Sequence, residues 1–539
     1  VDTPTNAAEP SDSGIGGEIV GNYCTLNPLA NALDLSNGNL TFDVGSRSNW
    51  KVATGTVHIT SGKWYWEITN GTQNSAGGNI AYGLRATDAS SSFTNELGYN
   101  DGNKAYFSSG IKRDGTTSSG SYGASFGTND VIGVAFDADN GTLVFYKNGA
   151  SQGTAFTGLT GSWSPAVGLY TGGTQIGTDD FNINFGQRAF AYQNAGTNRP
   201  SADYKSLNTA NLPTPTIADG SKYFDTKLWG GNAGSQSIAT SFSPDFVWIK
   251  QRSGTNWHNL FDIVRGADKA IYSNETNAET GPHSPARLSS FDSSGWSMGA
   301  STDVNGSGST YAGWAWDAGT STVTNNDGSI ASQVRANPSA GFSIVSFENG
   351  SGTVTVGHGL NAAPEFIITK SRDSTNNWQC YHSGMGNGKK IYLNSTSAQV
   401  SSVMWGSTNP TSSVFSLDDG STDSWIAYCF APVAGYSAMG SFVSNNSTDG
   451  NFIYLGFKPS WIMVKRTDST SNWFILDTAR DTYNVMDAVL DANLSDAERH
   501  ADIWDSLSNG MKLRIALPGT FLYVAFASNP FASNGGLAR

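Results

Sequence analysis

Three times along this chain a proline stands six residues ahead of a lysine, an apolar run fills the gap, and a tryptophan follows a polar turn. The segments are SPDFVWIKQRSGTNW from Ser243 to Trp257, APEFIITKSRDSTNNW from Ala363 to Trp378, and KPSWIMVKRTDSTSNW from Lys458 to Trp473. Self-similarity of this kind constrains a fold more than any short motif, because each copy must build the same supersecondary unit. Each copy opens on a strand-like segment: KYFDTKLW from Lys222, GFSIVSF from Gly341 and GYSAMGSF from Gly435. Each closes on an aromatic one: TYAGWAWDAG, DSWIAYCFAP and TFLYVAFASNP. Three β-sandwich-like repeats follow, at 222–319, 341–434 and 435–531, with a linker at 320–340 and a tail at 532–539. Proline starts the strand where its missing N–H does no harm. FVWIK, FIITK and WIMVK then bury, Lys250, Lys370 and Lys465 mark the exit into solvent, and a Ser/Thr/Asn turn leads to a strand headed by Trp257, Trp378 or Trp473. In the third copy, LSDAERHADIWDSL from Leu494 to Leu507 carries a capping box, Ser495 with Glu498, before an apolar stripe at Ile503, Trp504 and Leu507. That spacing predicts a helix.

The composition agrees with an all-β chain. Only 14% of residues are charged while 12% are aromatic, and the polar remainder is Gly, Ser, Thr and Asn. Such a mixture favours short strands and tight turns. A length of 539 residues exceeds one core. Ahead of the repeats lies a block at 22–195, after an N-terminal arm at 1–21 that reads as the start of a fragment or processed product, and before a Pro/Ser/Ala-rich linker at 196–221. In this block GKWYWEIT (Gly62–Thr69) alternates, placing Trp64, Trp66 and Ile68 on one face. VIGVAF (Val131–Phe136), DADNG and LVFY (Leu143–Tyr146) read as a hairpin, and Asn148-Gly149 as a second tight turn.

These markers, with IAYGL at Ile80, GTAF at Gly153, Pro165 and NFGQRAF from Asn184, resemble the SPRY domain in order and spacing. The resemblance implies a concanavalin-like bent sandwich of two antiparallel sheets that binds partners through loops at one end, a recognition scaffold and not a catalyst.

Several chemistries find no support. The net charge of −13 without a basic run argues against a nucleic-acid partner. No apolar stretch approaches a membrane span, so no membrane insertion is expected. Cys24, Cys380 and Cys429 are scattered, which disfavours a disulfide framework or zinc site. The DADNG segment at Asp137 lacks an EF-hand glutamate and reads as a turn. Six histidines (His58, His258, His283, His358, His382, His500) show no metal spacing, and His258 and His382 are expected to be exposed polar residues. Asp418, Asp419 and Asp292 could serve glycosidase chemistry only if paired across a groove, and Asp418 and Asp419, adjacent on a strand, would point to opposite faces. No catalytic residue, metal or cofactor is therefore expected. Most tryptophans lie in alternating strand patterns. Trp229, Trp296, Trp405 and Trp425 are less clearly patterned and stand as surface candidates for stacking against sugar rings.

The NLPTPTIADGSKYFDTKLW, SPDFVWIKQRS and WHNLFDIVRGADK segments, and the opening VDTPTN…GNYCTLNPL, resemble tail-fibre and other virion surface proteins of marine and aquatic bacteriophages. The resemblance implies a virion location, a host cell-surface receptor (glycan or protein) and other virion proteins as partners, and a homotrimer. A structural decoration or connector of the phage head or tail, and a bacterial surface adhesin, are the alternative expectations.

Overall fold

Trp64, Trp66 and Ile68 do share one face of the strand Lys63–Thr69, and all three are buried in one core. A computed structural model describes residues 22–43, 49–71, 79–86, 93–99, 102–115, 118–170, 181–192 and 203–530. The expected arm at 1–21 and tail at 532–539 lie outside them. The chain divides into two compact units, Val1–Thr214 with Phe531–Arg539, and Pro215–Pro530.

The first unit is a sandwich of two sheets. One runs Leu26–Asn31, Lys51–Gly55, Trp163–Tyr170, Asn79–Ala86, Lys104–Phe107, Ile111–Arg113, Ser118–Ser121. The other runs Ala150–Phe156, Thr142–Lys147, Val131–Asp137, Lys63–Thr69, Phe181–Asn184, Thr41–Asp43, Asp34–Ser36. The hairpin read from DADNG is present, with Asp137 paired to Thr142. Its partner turn puts Asn148 and Gly149 at φ 47° and 78°, the left-handed pair that a two-residue hairpin turn requires. The other face of Lys63–Thr69 is covered as well. Tyr65 meets Phe190 edge-on at 5.1 Å, and Glu67 accepts the amides of Ala191 and Tyr192. Some of the expected linker belongs here, because Lys205–Ser206 adds a parallel strand beside Trp64 and Tyr65.

In the second unit each copy pairs its strands in one order: opening, closing, proline, return. These are Phe224–Gly230, Thr310–Trp316, Phe246–Gln251 and Asn259–Asp262 in the first copy. The second has Phe342–Glu348, Ser424–Phe430, Phe366–Ser371 and Gln379–His382. The third has Ser437–Val443, Thr520–Pro530, Phe457–Arg466 and Trp473–Asp477. The proline strands are apolar throughout because both faces are covered. Val247, Ile249, Ile367, Ile462 and Val464 face outward into a core private to their copy, under a small second sheet in the first two copies and under the far strands of the same eight-stranded sheet in the third. Phe246, Trp248, Phe366, Ile368, Trp461 and Met463 face inward into one shared core. The three copies are therefore not three separate domains.

Two expectations change here. The stretch at 320–340 is a β-hairpin, Thr322–Asn325 against Ser332–Asn337, which extends the second copy's sheet through Phe342–Glu348. The predicted helix is a strand, Arg499–Leu507, paired with Met486–Asp491 and Gly510–Leu513. Glu498 does not cap; its carboxylate takes Arg252 and Arg480 instead.

Candidate functional site

The pairing registers superimpose the copies and reveal a ring. Phe246, Phe366 and Trp461 occupy one position, facing Trp316, Phe430 and Phe526 across the closing strand. These six rings interlock along the shared core, with Trp316 and Trp461 edge-to-face at 5.7 Å and Phe430 and Phe526 at 5.8 Å. Aromatic contacts of this geometry add to simple area burial.

Three polar contacts recur at each of the three junctions. Trp378 donates its indole N–H to the Tyr272 carbonyl (2.7 Å), and Trp473 does so to Tyr392 (2.9 Å). The third equivalent is His258, not Trp257. Its Nδ1 accepts the Trp248 indole, so Nε2 carries the proton toward the Asp491 carbonyl at 3.2 Å. His258 and His382 are thus wholly buried, not exposed. Burial drives both away from protonation, His382 down to about 4. His382 accepts the Gly384 amide on Nδ1 and faces the Tyr523 carbonyl with Nε2. At its equivalent positions Asp262 pairs with Arg265 and accepts the Tyr428 hydroxyl (2.8 Å), and Asp477 pairs with Arg480 and accepts the Trp314 indole (3.0 Å). The third contact joins backbone amides to carbonyls: Glu279 to Arg372, Gln399 to Thr467 and Glu498 to Arg252. Two of these carry a two-pronged ion pair between side chains, Arg372 with Glu279 and Arg252 with Glu498. The first copy meets the second, the second the third and the third the first, so the ring closes on itself.

The three lysines expected at the solvent boundary are buried and brace this ring. Lys250 donates to the Gln251 and Gly254 carbonyls, Lys370 to those of Ser371 and Ser374, and Lys465 to those of Ser471 and, across a junction, Thr396. Burial pulls each amine down to about 8.

The four tryptophans expected on the surface are core residues. Trp229 stacks on Tyr311 at 5.6 Å and donates to the Val304 carbonyl, edge-on to the buried Trp296. Trp405 packs against Tyr381, and Trp425 is buried in the same private core. They fill the gap between each main sheet and its small outer sheet. The carboxylates weighed for catalysis are occupied in turns: Asp418 accepts from Thr353, Asp419 from Asn349 and Ser421, and Asp292 from Ser290 and Ser297. Asp137 likewise accepts from Asn140 and pairs with Lys63. The three cysteines are buried, and none of them forms a disulfide among the described residues.

In the first unit the strand ends at Thr69 and Tyr170 lie at one end of the sandwich, paired with Val131 and Asn79. Asp130 orders that end. It accepts the Gly127 amide and the Asn148 side chain and pairs with Lys147 at 3.1 Å. Burial pushes its carboxyl upward, but these donors outweigh burial and hold it below the usual range. Trp50 and Tyr170 stack there at 5.7 Å, both only partly buried. Sequence reasoning passed over Trp50, although a tryptophan closing the polar run GSRSNW just before a strand was a readable signal. A hollow of about 280 Å³ lies at the other end between Lys63, Asp139 and Lys205.

A two-sheet β-sandwich joined in sequence to a three-copy β ring defines the class of molecule. Residues 63–188 match the SPRY domain family. Residues 219–530 match the family described as a domain of unknown function, DUF7483, over more than half of the chain, and this protein belongs to that family. That span takes in all three copies as one domain. Among relatives, zebrafish (Danio rerio) Ran-binding protein 10 is 42% identical over 71 residues, 13% of this chain and 11% of its own length. The Arabidopsis thaliana E3 ubiquitin-protein ligase RKP is 30% identical over 138 residues, 25% of this chain and 10% of its own. The chain thus spans about a tenth of the length of the curated relatives it matches. The solved SPRY domain of human HERC1 is similar at 18% identity and TM-score 0.26, over 29% of this chain and 96% of that one. Another human SPRY domain gives 20% and 0.24, over 28% and 96%.

Proposed function

We propose that this protein is a non-catalytic binding component of a virion surface, the region of a bacteriophage tail fibre that meets the host. The loop end of the SPRY sandwich serves as a contact surface for a cell-surface glycan or protein. The observation that carries the binding role is that end itself, where Asp130 fixes the framework and the partly exposed Trp50–Tyr170 pair stacks at a strand end. SPRY sandwiches place recognition on loops over a rigid scaffold, which is where binding residues concentrate in general. The virion assignment rests on the likeness of the opening segment and repeats to phage fibre proteins.

Fab fragments raised against Pro215–Pro530, imaged by cryo-electron microscopy on intact particles, test the assignment. Labelling at a fibre tip is the expected result. Labelling spread over the capsid lattice would sink host attachment and favour a second reading, a structural decoration or connector. The closed threefold ring is the observation that favours that reading, since such a body suits a threefold seat on a particle. A homotrimer follows from the fibre reading, and sedimentation of the purified chain at a mass three times that of one chain is the expected result.

A further inference from the structure

The three copies act as internal controls for one another, and one surface position breaks the pattern without structural need. At the residue preceding the junction contact, the second and third copies carry Asn377 and Asn472, each accepting the side-chain amide of Asn394 or Asn493 within its own copy. The first copy carries Trp257 there, 41% exposed. Its ring packs in a T-shaped contact with Tyr272 at 4.9 Å, which restrains the indole while a large part of it stays exposed. Shielding Tyr272 does not explain the change. Tyr392, the matching tyrosine of the second copy, stays partly exposed with an asparagine beside it.

The neighbours are polar and held in place. Asn256 spends its amide on the Thr302 carbonyl and leaves its own carbonyl oxygen to accept. Arg287 donates to the Tyr272 hydroxyl, lies over that ring at 5.5 Å, and pairs with the partly exposed Asp303. A restrained, part-exposed indole, bordered by neutralised charge and spare acceptors, fits a ring with one apolar C–H face and a rim of hydroxyls. Trp257 lines neither the hollow beside Lys63 nor the one of about 120 Å³ beside Phe224, so a ligand would lie on a platform. The net charge of −13 disfavours acidic sugars.

We infer that Trp257 is the stacking platform of a saccharide site on the first copy, taking neutral pyranoses, with Asn256 and Asp303 receiving hydroxyl hydrogen bonds. The inference rests on the host-binding reading and names a ligand class for it. The test measures binding of the full chain to immobilised dextran, mannan and galactan, with alginate as the acidic comparison. Three proteins are compared: the unaltered chain, Trp257→Asn and Trp257→Phe. Asparagine is the residue the other copies use, so the melting temperature should stay within about 2 °C while binding falls at least tenfold, and phenylalanine should keep some of it. Three outcomes each overturn the site: no binding to any neutral polysaccharide, binding to alginate alone, or Trp257→Asn that melts early while binding as before. Fab labelling at a fibre tip together with any of these would leave host attachment standing and remove only this platform.

Discussion

His382 and the three buried lysines both make the fold more stable as pH rises, but in separate pH windows, so each can be read separately. His382 is held neutral in the fold down to about 4, against an ordinary value of 6.5. Below pH 6.5 the unfolded chain takes up a proton that the folded chain refuses, so stability falls as pH drops from 6.5 toward 4. The loss from this residue should reach about 3 kcal/mol. Urea melts of Pro215–Pro530 at stepped pH should show it, and His382→Gln should lessen the decline while the share of the buried His258 remains. The lysines work at the other end. Their folded amines lose protons near 8 while the unfolded ones hold theirs to 10.5, so the unfolded state binds more protons in between. Stability should climb from pH 8 toward 10, by up to about 3 kcal/mol for each lysine. Above pH 10 the buried Tyr428 and Tyr436, whose hydroxyls burial keeps protonated, reverse the trend. Lys370→Met should shrink the climb by about a third, each of three like groups contributing equally. A flat profile in the unaltered protein would rule the lysines out as its source.

Among the elements, the legible ones were those whose residue pattern has a single physical solution. FVWIK, FIITK and WIMVK read as buried strands, though not as strands covered on both faces, and the opening and closing strands pair in the same order in each copy. The failures have identifiable causes. Aligning copies by the letter W set Trp257 against Trp378 and Trp473, whereas a constant spacing of eight from the lysine lands on His258. Glu498 had the spacing of a helix cap, but a salt bridge to another copy claimed it, and strand pairing overrode local preference. The lysines' burial was hidden because their partners are backbone carbonyls, which sequence does not mark. The Asp-x-x-Arg pattern at Asp262–Arg265 and Asp477–Arg480 was visible and went unread. At this scale Arg252→Ala should cost about 1–2 kcal/mol, since it strips a two-pronged partner from a largely buried Glu498 that still keeps Arg480. In the sandwich, Gly83 lies where an added Cβ would sit 1.8 Å from the Lys104 carbonyl oxygen. Gly83→Ala must therefore push a pair of bonded strands apart, and thermal melts should show a loss above about 2 kcal/mol.

For the molecule as a whole, the shared aromatic core makes the copies mutually dependent. A polypeptide of Pro215–Pro530 should unfold in one cooperative transition by calorimetry. A piece ending at Ala434 would expose Phe246, Trp316 and Phe430 where the third copy's Trp461 and Phe526 belong, and should be insoluble or collapsed without fixed packing. A soluble two-copy fragment with a sharp melt would contradict the closed ring.

Closure of the ring also bears on how the chain comes off the ribosome. The junction of the first and third copies ties Arg252 to Glu498, partners 246 residues apart, so it cannot form until nearly the whole unit has been synthesised. Until then the nascent chain must carry a naked aromatic wedge. A circularly permuted gene that begins at the second copy and delivers the first copy last would move that delay to a different seam, while every contact in the finished ring stayed the same.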